Sequence, residues 1–260
     1  MKQFASVSIC NLTLHKSNSI ILNNINLDIE SGCLTSIIGP TGTGKTSLLR
    51  SIMKFEKISS ENILIFGETI ANLKLSEIAR KIAFIHQDSV LPGGLLVKDY
   101  VLFGRYPYLG FFENTNVQDY TIVENALNQV NCYKFYNREL ITLSGGEQQL
   151  VIIARAIAQQ TPIIILDEPT ANLDFGLSAK LMSILQHLAH DEQKTIIIAT
   201  HDINNAIKFS DKLVLLKKVK IIAHGNTEHA INNSNIRDLY GSNVKLTTTL
   251  NGETVIDSNY

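Results

Sequence analysis

The segment 39–46 has the residue types and spacing of a phosphate-binding loop, and its sequence is Gly39-Pro40-Thr41-Gly42-Thr43-Gly44-Lys45-Thr46. It fits the pattern G-x-x-x-x-G-K-[ST] at every fixed position, between an apolar strand-like run and a helix predicted over Thr46–Met53. Its glycines allow successive N–H groups to point inward as an anion cradle, and the helix adds its positive N-terminal end. We expect Lys45 to reach the β- and γ-phosphates and the Thr46 hydroxyl to coordinate Mg²⁺. The segment therefore predicts a nucleoside triphosphate site.

Two acidic residues, Asp167 and Glu168, follow a continuous apolar strand predicted over Ile163–Leu166. At the end of a buried strand, the first carboxylate can hold Mg²⁺ through water and the second can polarise an attacking water molecule. The alternative is that two acids in a row simply keep a strand end soluble. The phosphate loop in the same chain favours the catalytic interpretation.

The turn Ser144-Gly145-Gly146 lies just before a long helix predicted over Gln148–Gln160, whose apolar residues share one face. Such a helix start is a second anion cradle with a hydroxyl group added. Taken alone, a Ser-Gly-Gly turn is more often an ordinary helix cap. Two phosphate-binding helix starts in one chain require an explanation that neither motif gives by itself.

The order of strands and helices predicts an α/β fold with a mostly parallel sheet. Apolar runs at Lys81–His86, Ile163–Leu166 and Thr195–Thr200 alternate with helices, as parallel strands joined by crossover helices do. Before the phosphate loop, Val7–Leu14 and Ile20–Ile29 alternate apolar and polar residues and predict an antiparallel β layer. The other predicted elements are an all-helical insertion over 88–140, a helix capped by Ser76, a helix at Asn235–Tyr240 and a hairpin turning at Asn251-Gly252.

Composition and charge limit the classes of function. The 260 residues carry a formal net charge of −1, which argues against a general nucleic-acid-binding protein. No apolar run approaches the roughly 18 residues of a membrane helix, so we expect any membrane association to come through a partner. Cys10, Cys33 and Cys132 are scattered, and the N-terminus lacks an export-signal pattern, so we expect a cytoplasmic protein with reduced, mostly buried thiols.

Six segments, in the expected order, resemble the motifs of the ATP-binding cassette (ABC) ATPases. They are the phosphate loop, the Q-loop residue Gln87, the signature Leu143–Glu147, the Walker B segment Ile163–Glu168, the D-loop Ala171–Asp174 and the switch residue His201. The resemblance covers nearly the whole chain and implies an ABC-type P-loop nucleotide-binding fold in a single domain over 1–260. It also implies a RecA-like core at about 1–87 and 141–225, a helical subdomain at about 88–140 and a C-terminal extension at about 226–260.

The resemblance also implies a role for each matching residue, with ATP and Mg²⁺ as the cofactors. Gln87 contacts Mg²⁺ and water, and His201 holds the γ-phosphate and the attacking water. The Ser144-Gly145-Gly146 turn contacts the γ-phosphate of the ATP bound to a second copy, and Asp174 bridges the two copies. The chain is therefore expected to act as a homodimer that closes on ATP and opens after hydrolysis.

One position departs from the family pattern. The family usually stacks the adenine on an aromatic residue ahead of the second strand. In this chain the position falls on Lys16, or on His15 with a shift of one residue. An imidazole stack and a lysine cation over the ring both remain open.

The segment Val97–Gly110 resembles the V-x-x-x-V-x-x-G-R-x-P-x-x-G segment of importers for iron–siderophore, haem, vitamin B12 and related metal chelates. The resemblance implies an ATPase that drives uptake through a two-subunit permease, at the inner face of the cell membrane. A substrate-binding protein is then an indirect partner, and no nucleic acid is involved. The alternative is a soluble ABC ATPase of an assembly system, such as iron–sulfur cluster assembly, against which the Gly-Arg-x-Pro pattern argues.

The same region is rich in apolar side chains, which have two interpretations. They line a groove for a cytoplasmic helix of the permease, or they pack the core of the helical lobe itself. These residues are Leu95, Leu96, Val101, Phe103, Tyr106, Tyr108, Phe111 and Phe112.

Overall fold

The structure is a computed structural model that describes residues 5–57, 60–87, 91–110, 113–249, 252 and 254–258. The strands are β1 (Ala5–Lys16), β2 (Ser19–Glu30), β3 (Leu34–Ile38), β4 (Ile63–Ile65), β5 (Glu68–Thr69), β6 (Ile82–Ile85), β7 (Ile163–Asp167), β8 (Thr195–Thr200), β9 (Lys212–Lys217), β10 (Lys220–Asn226), β11 (Val244–Thr248) and β12 (Thr254–Ser258). The α-helices are α1 (Lys45–Ile52), α2 (Leu75–Lys81), α3 (Val97–Leu102), α4 (Val117–Gln129), α5 (Gly145–Ala158), α6 (Phe175–His190), α7 (Ile203–Phe209), α8 (Thr227–Ala230) and α9 (Asn233–Tyr240). Short 3₁₀ helices cover Ser60–Asn62, Phe103–Tyr108, Tyr133–Phe135 and Leu140–Thr142.

The chain forms two units, of which the first comprises Met1–Leu73 and Leu185–Tyr260. In this unit β3 lies between β8 and β9 and is parallel to both, and β10 adds an antiparallel edge to β9. Every residue of β3 and β8 is buried. Burial of every residue is typical of parallel strands that are covered on both faces.

The antiparallel β layer predicted from the sequence is confirmed. Strands β2, β1, β4 and β5 form an antiparallel sheet in that order. Alternate side chains of β1 and β2 are buried, and the pairs Val7–Ile29 and Leu14–Leu22 lie opposite each other. Burying one face of each strand fixes the register, because a slip by one residue would turn these side chains to solvent.

The second unit comprises Lys74–Ile184. Its strands β6 and β7 are parallel, with Ile85 opposite Leu166. Among the described residues between β6 and β7, all regular elements are helical, apart from an isolated bridge between Leu96 and Glu139. This agrees with a helical insertion in an α/β core, while the boundaries predicted for that subdomain at 88 and 140 stay predictions.

Two predictions at the element ends have different outcomes. The Ser76 cap is wrong: α2 begins one residue earlier, and Glu77 Oε2 accepts a hydrogen bond from the Lys74 backbone N–H at 2.7 Å. The C-terminal hairpin is confirmed as the antiparallel pair β11–β12, although the predicted turn residue Asn251 lies outside the described residues. In the part of the chain that the structure describes, none of the helices has the length and apolar character needed to span a bilayer.

Candidate nucleotide site

The phosphate loop joins β3 to α1 in the first unit, and its shape depends on glycine. A Cβ atom at Gly39 would lie 2.1 Å from the carbonyl oxygen of Leu216, far inside contact distance. Gly42 and Gly44 have φ angles of 81° and 101°, in a region that residues with a Cβ atom seldom adopt. The backbone curl that the sequence predicted therefore requires glycine at position 39 by close approach and at positions 42 and 44 by backbone angle.

Lys45 lies inside the loop and is only 7% exposed. Its ammonium group donates to the carbonyl oxygens of Gly39 at 2.7 Å and Pro40 at 3.3 Å. Thr43 closes the loop from the other side, because its hydroxyl donates to the Pro40 oxygen at 2.9 Å. The loop thus holds one buried cation next to the first turn of α1, where Thr46 is half-buried. This combination of cation and helix N-terminus suits a polyphosphate.

His201 lies beside this loop. Strands β3 and β8 are parallel neighbours whose last residues, Ile38 and Thr200, are paired, so Gly39 and His201 both follow at the same edge of the sheet. The next residue, Asp202, caps α7 by accepting a hydrogen bond from the Asn205 backbone N–H at 3.0 Å. The structure therefore brings together the two parts of the predicted site that belong to the first unit.

The second unit brings together Gln87, Asp167 and Glu168. Strands β6 and β7 are parallel and their last paired residues are Ile85 and Leu166, so the three polar residues lie just beyond that pair at one sheet edge. Asp167 is 1% exposed. Glu168 is half-buried and has a φ angle of 49°, in the left-handed region that non-glycine residues seldom adopt. Such strain is concentrated at functional sites, and the sequence motif alone does not reveal it.

A pocket of about 190 Å³ adjoins this edge within the second unit. Gln87 and Glu168 line it together with Gly145 and Gln148 at the start of α5. Three segments that the sequence singled out separately thus meet around one cavity. The amide of Gln148 donates to the carbonyl oxygens of Leu140 at 3.1 Å and Leu143 at 3.2 Å, which fixes the segment entering the signature turn.

The signature turn is a helix start with a complete capping box. Ser144 Oγ accepts from the Glu147 backbone N–H at 3.3 Å, while Glu147 Oε2 accepts from the Ser144 N–H and hydroxyl, both at 2.9 Å. These hydrogen bonds from Ser144 lower the pKa of the Glu147 carboxyl, and Arg138 and Lys134 add to the effect. Gly145 is exposed with no atom near its missing Cβ, whereas a Cβ at Gly146 would meet the side chain of Leu177 at 2.1 Å.

The D-loop residue Asp174 is exposed and caps the helix that follows it. Its Oδ1 atom accepts from the Leu177 backbone N–H at 2.9 Å, and its carbonyl oxygen accepts from the Ser178 N–H at 2.9 Å. In the single chain Asp174 thus has a structural role. Its bridging role between two copies stays a prediction.

The two candidates for the adenine contact have different surroundings. The Lys16 ammonium forms an ion pair with Glu56 at 2.7 Å, and Glu56 also pairs with Arg50 at 3.0 Å. His15 is exposed on β1. Because the Lys16 cation already has a carboxylate partner, the imidazole of His15 is the group more readily available to a base.

The Gly-Arg-x-Pro segment is mainly structural. A Cβ at Gly104 would lie 2.4 Å from the Arg155 carbonyl oxygen, so this glycine lets the 3₁₀ helix pack closely on α5. Arg105 is 8% exposed and pairs with Asp119 at 2.9 Å. The Arg105 guanidinium also lies over the Tyr108 ring at 4.4 Å. Sequence reasoning missed Asp119, whose only local signal is its place three residues after the Asn116 cap of α4.

The apolar residues of this region divide between the two interpretations. Val101 is fully buried in the lobe, whereas Tyr106 is 57% exposed. Leu95, Leu96, Phe103 and Tyr108 are half-buried. Phe111 and Phe112 lie outside the described residues. Most of the described part of the segment therefore packs the lobe, and Tyr106 is the most exposed of its described aromatic side chains.

The thiols and the histidines of α6 offer no metal centre. Cys33 and Cys132 are buried and Cys10 is exposed, as free thiols. His187 pairs with Asp191, and His190 with Asp211. Among the described residues, the structure has no group of three or more His, Cys, Asp or Glu side chains arranged to hold a metal ion.

Comparison with known proteins identifies the family. The family model described as "ABC transporter" matches residues 22–171. The petrobactin import ATP-binding protein FpuD of Bacillus anthracis is 35% identical over 237 residues, which cover 91% of this chain and 87% of that protein.

Two solved structures extend the comparison. An inward-facing structure assigned to a metal-chelate type ABC transporter covers 98% of both chains, with a TM-score of 0.86 at 27% identity. The dimeric post-hydrolysis structure of the ATP-binding cassette MJ0796, bound to ADP and Pi, covers 85% of this chain and 98% of that one, with a TM-score of 0.75 at 30% identity. ATP-binding proteins of ABC transporters are ATPases coupled to transport, and this chain belongs to the ABC transporter family.

Proposed function

We propose that the chain is the ATP-hydrolysing subunit of an importer for a metal chelate, such as an iron–siderophore, haem or vitamin B12. It works as a homodimer beneath a two-subunit permease at the inner face of the cell membrane, and a substrate-binding protein delivers the cargo. The observation that carries the ATPase proposal is the phosphate loop around buried Lys45, with His201 at the neighbouring strand end. The choice of cargo rests on the petrobactin-importing relative.

The residues of the chain divide the work of binding and hydrolysis. The backbone N–H groups of Gly39 and residues 41–46 and the Lys45 ammonium bind the phosphates, and His201 holds the γ-phosphate and the water. Glu168 accepts a hydrogen bond from that water and polarises it toward the phosphorus atom. Because the phosphoryl group carries its charge on the peripheral oxygens, most of the catalytic effect comes from positioning and charge stabilisation.

Thr46, Gln87 and Asp167 fit a Mg²⁺ site by the chemistry of their donor atoms. A hydroxyl, an amide oxygen and a carboxylate are the oxygen ligands that a hard cation prefers. Asp167 is almost completely buried, and a buried carboxylate requires a compensating charge or hydrogen bonds. When bound, the ion neutralises phosphate charge during transfer.

The dimer proposal assigns the Ser144-Gly145-Gly146 turn and Asp174 to contacts with a second copy of the chain. The Ser144-Gly145-Gly146 turn is an exposed helix start, and the free N–H groups at the start of a helix suit an anion such as the γ-phosphate of a second copy. Asp174 is also exposed and is the candidate bridge between copies. The dimeric relative with ADP and Pi supports the proposal of a dimer.

The test of the ATPase proposal is Glu168→Gln in the full chain. The amide cannot polarise the water, so we expect turnover to fall by more than about 100-fold while ATP binding persists. The inactive variant should then accumulate as an ATP-bound dimer, which light scattering would detect. Glu228→Gln, at an exposed acid of α8, is the control and should behave as wild type. A Glu168→Gln variant that stays monomeric in saturating ATP would contradict the proposed mechanism.

The test of the importer proposal is purification of the chain from its native membranes in mild detergent. Copurification of a polytopic permease is the expected result, and its binding protein would identify the cargo. Recovery of soluble partners alone, at full ATPase activity, would favour the iron–sulfur assembly alternative.

A further inference from the structure

The C-terminal extension belongs to one apolar cluster with the strand that leads into the phosphate loop and with the helix that follows His201. A single apolar cluster contains Ile38, the residue before the phosphate loop, together with Ile236 and Leu239 of α9. Ile203 of α7 and Ile256 of β12 pack against the same cluster. The extension therefore shares one apolar cluster with the end of β3 and with the helix that follows His201.

Helix α7 depends on these contacts for its orientation. It has only seven residues, from Ile203 to Phe209, and so short a helix is marginal without tertiary packing. Its one buried residue is Ala206, which belongs to the same apolar cluster. Since α7 begins two residues after His201, a change in the tilt of α7 displaces that imidazole.

One hydrogen bond ties α7 to the hairpin directly. Asn204, in the first turn of α7, accepts a hydrogen bond at Oδ1 from the Ile256 backbone N–H at 2.8 Å. A second hydrogen bond of the same kind holds the other strand of the hairpin: Asn233 Oδ1, on α9, accepts from the Leu246 N–H at 3.0 Å. Both asparagines are exposed, so neither is part of the core.

We infer that Asn204 is a positioning residue, through which the C-terminal hairpin holds α7 and thereby His201 in its place beside the phosphate loop. The inference rests on the proposed role of His201 in hydrolysis. It gives the extension a function within the ATPase cycle, since the orientation of a group that contacts the γ-phosphate and water affects the chemical step more than nucleotide binding.

The experiment compares Asn204→Ala with Asn233→Ala in the full chain. Each variant removes one side-chain acceptor of a hairpin N–H group, but only the first removes a hydrogen bond between the hairpin and α7. We expect Asn204→Ala to lower kcat about 5-fold at an unchanged KM for ATP, because a small misplacement of a catalytic group lowers the rate steeply. Asn233→Ala should keep the wild-type kcat. Asn204→Asp retains the acceptor and should restore most of the rate.

Amide hydrogen exchange of residues 203–209 is the second readout. Exchange should accelerate in Asn204→Ala and stay at the wild-type rate in Asn233→Ala, because only the first loses a contact of α7. Equal kcat in Asn204→Ala and wild type, or an equal loss in both alanine variants, would overturn the inference. The variant His201→Ala distinguishes the role of His201 from its positioning by the hairpin. Wild-type turnover in His201→Ala would refute the proposed role of His201 in hydrolysis. Loss of turnover in His201→Ala, together with wild-type turnover in Asn204→Ala, would refute only the positioning by the hairpin.

Discussion

Replacement of Arg105 by alanine should destabilise the second unit strongly. Its side chain is 9% exposed and its partner Asp119 is 6% exposed, with the guanidinium Nε donating to Asp119 Oδ1 at 2.9 Å. The guanidinium Nη1 also donates to the Ala158 carbonyl and to Gln160 Oε1, both at 3.0 Å. Arg105→Ala leaves a buried carboxylate and two oxygen acceptors without this donor, and breaking a buried pair in this way costs about 3–5 kcal/mol.

Thermal unfolding is the assay for this prediction. A loss of about 3–5 kcal/mol corresponds to a fall in melting temperature of about 10 °C for a chain of this size. The matched control is Lys217→Ala, which removes the cation of an exposed pair with Asp238 and should cost at most about 1 kcal/mol. A melting temperature for Arg105→Ala within 2 °C of wild type, by the same scaling, would refute the assignment of Arg105 to the interior of the lobe.

The pH dependence of the same variant provides a second check. Burial raises the pKa of the Asp119 carboxyl, but the hydrogen bond from the Asn116 N–H and the contact with Arg105 outweigh it, so the pKa is lowered overall. The stabilisation by a lowered pKa is complete above the unfolded value of about 4 and is lost as the pH falls through the folded value. The difference in stability between wild type and Arg105→Ala should therefore be largest at neutral pH and shrink in acid. A difference that grows below pH 4 would contradict this reasoning.

Three further predictions follow from close contacts and exposure. Gly39→Ala should weaken ATP binding more than about 10-fold, because its Cβ would overlap a carbonyl of β9. Gly42→Ala has open space around the new Cβ and should weaken binding less, which equilibrium binding of a fluorescent ATP analogue would show. Burial raises the pKa of the Cys132 thiol to about 11, so maleimide at pH 8 should label Cys10 and leave Cys132 unmodified until the chain is denatured, as mass spectrometry would show. Tyr106→Ala should leave the melting temperature within about 2 °C of wild type and reduce copurification of the permease, since the ring is mostly exposed.

The phosphate loop and the order of the strands could be predicted because their requirements are local. Residues 39–46 are contiguous, and a strand, a glycine-rich turn and a helix start each leave a signal in neighbouring residues. The antiparallel layer followed from alternation within β1 and β2 for the same reason. What the motif does not give is why Gly39 is required, since the carbonyl that excludes a side chain there belongs to Leu216, far along the chain.

The Gly-Arg-x-Pro segment shows how a family pattern and its physical basis can differ. The pattern identified an importer-like segment, and its residues suggested a surface for a permease. In the structure, Gly104 and Arg105 face inward and join the 3₁₀ helix to α4 and α5. A polar residue is buried only when its partners are supplied, and the partner Asp119 carries no sequence signal for that role beyond its capping position.

The contact between the C-terminal hairpin and α7 lies beyond sequence reasoning for a different reason. The hairpin itself was predictable from alternation and turn residues, but Asn204 accepts from a backbone N–H, a group that every residue except proline offers. An exposed asparagine in a short helix is therefore indistinguishable in sequence from one that contacts only water. Only the packing of β12 against α7 selects Ile256 as the donor. We therefore expect the C-terminal extension to influence the ATPase site without contributing any residue to its chemistry.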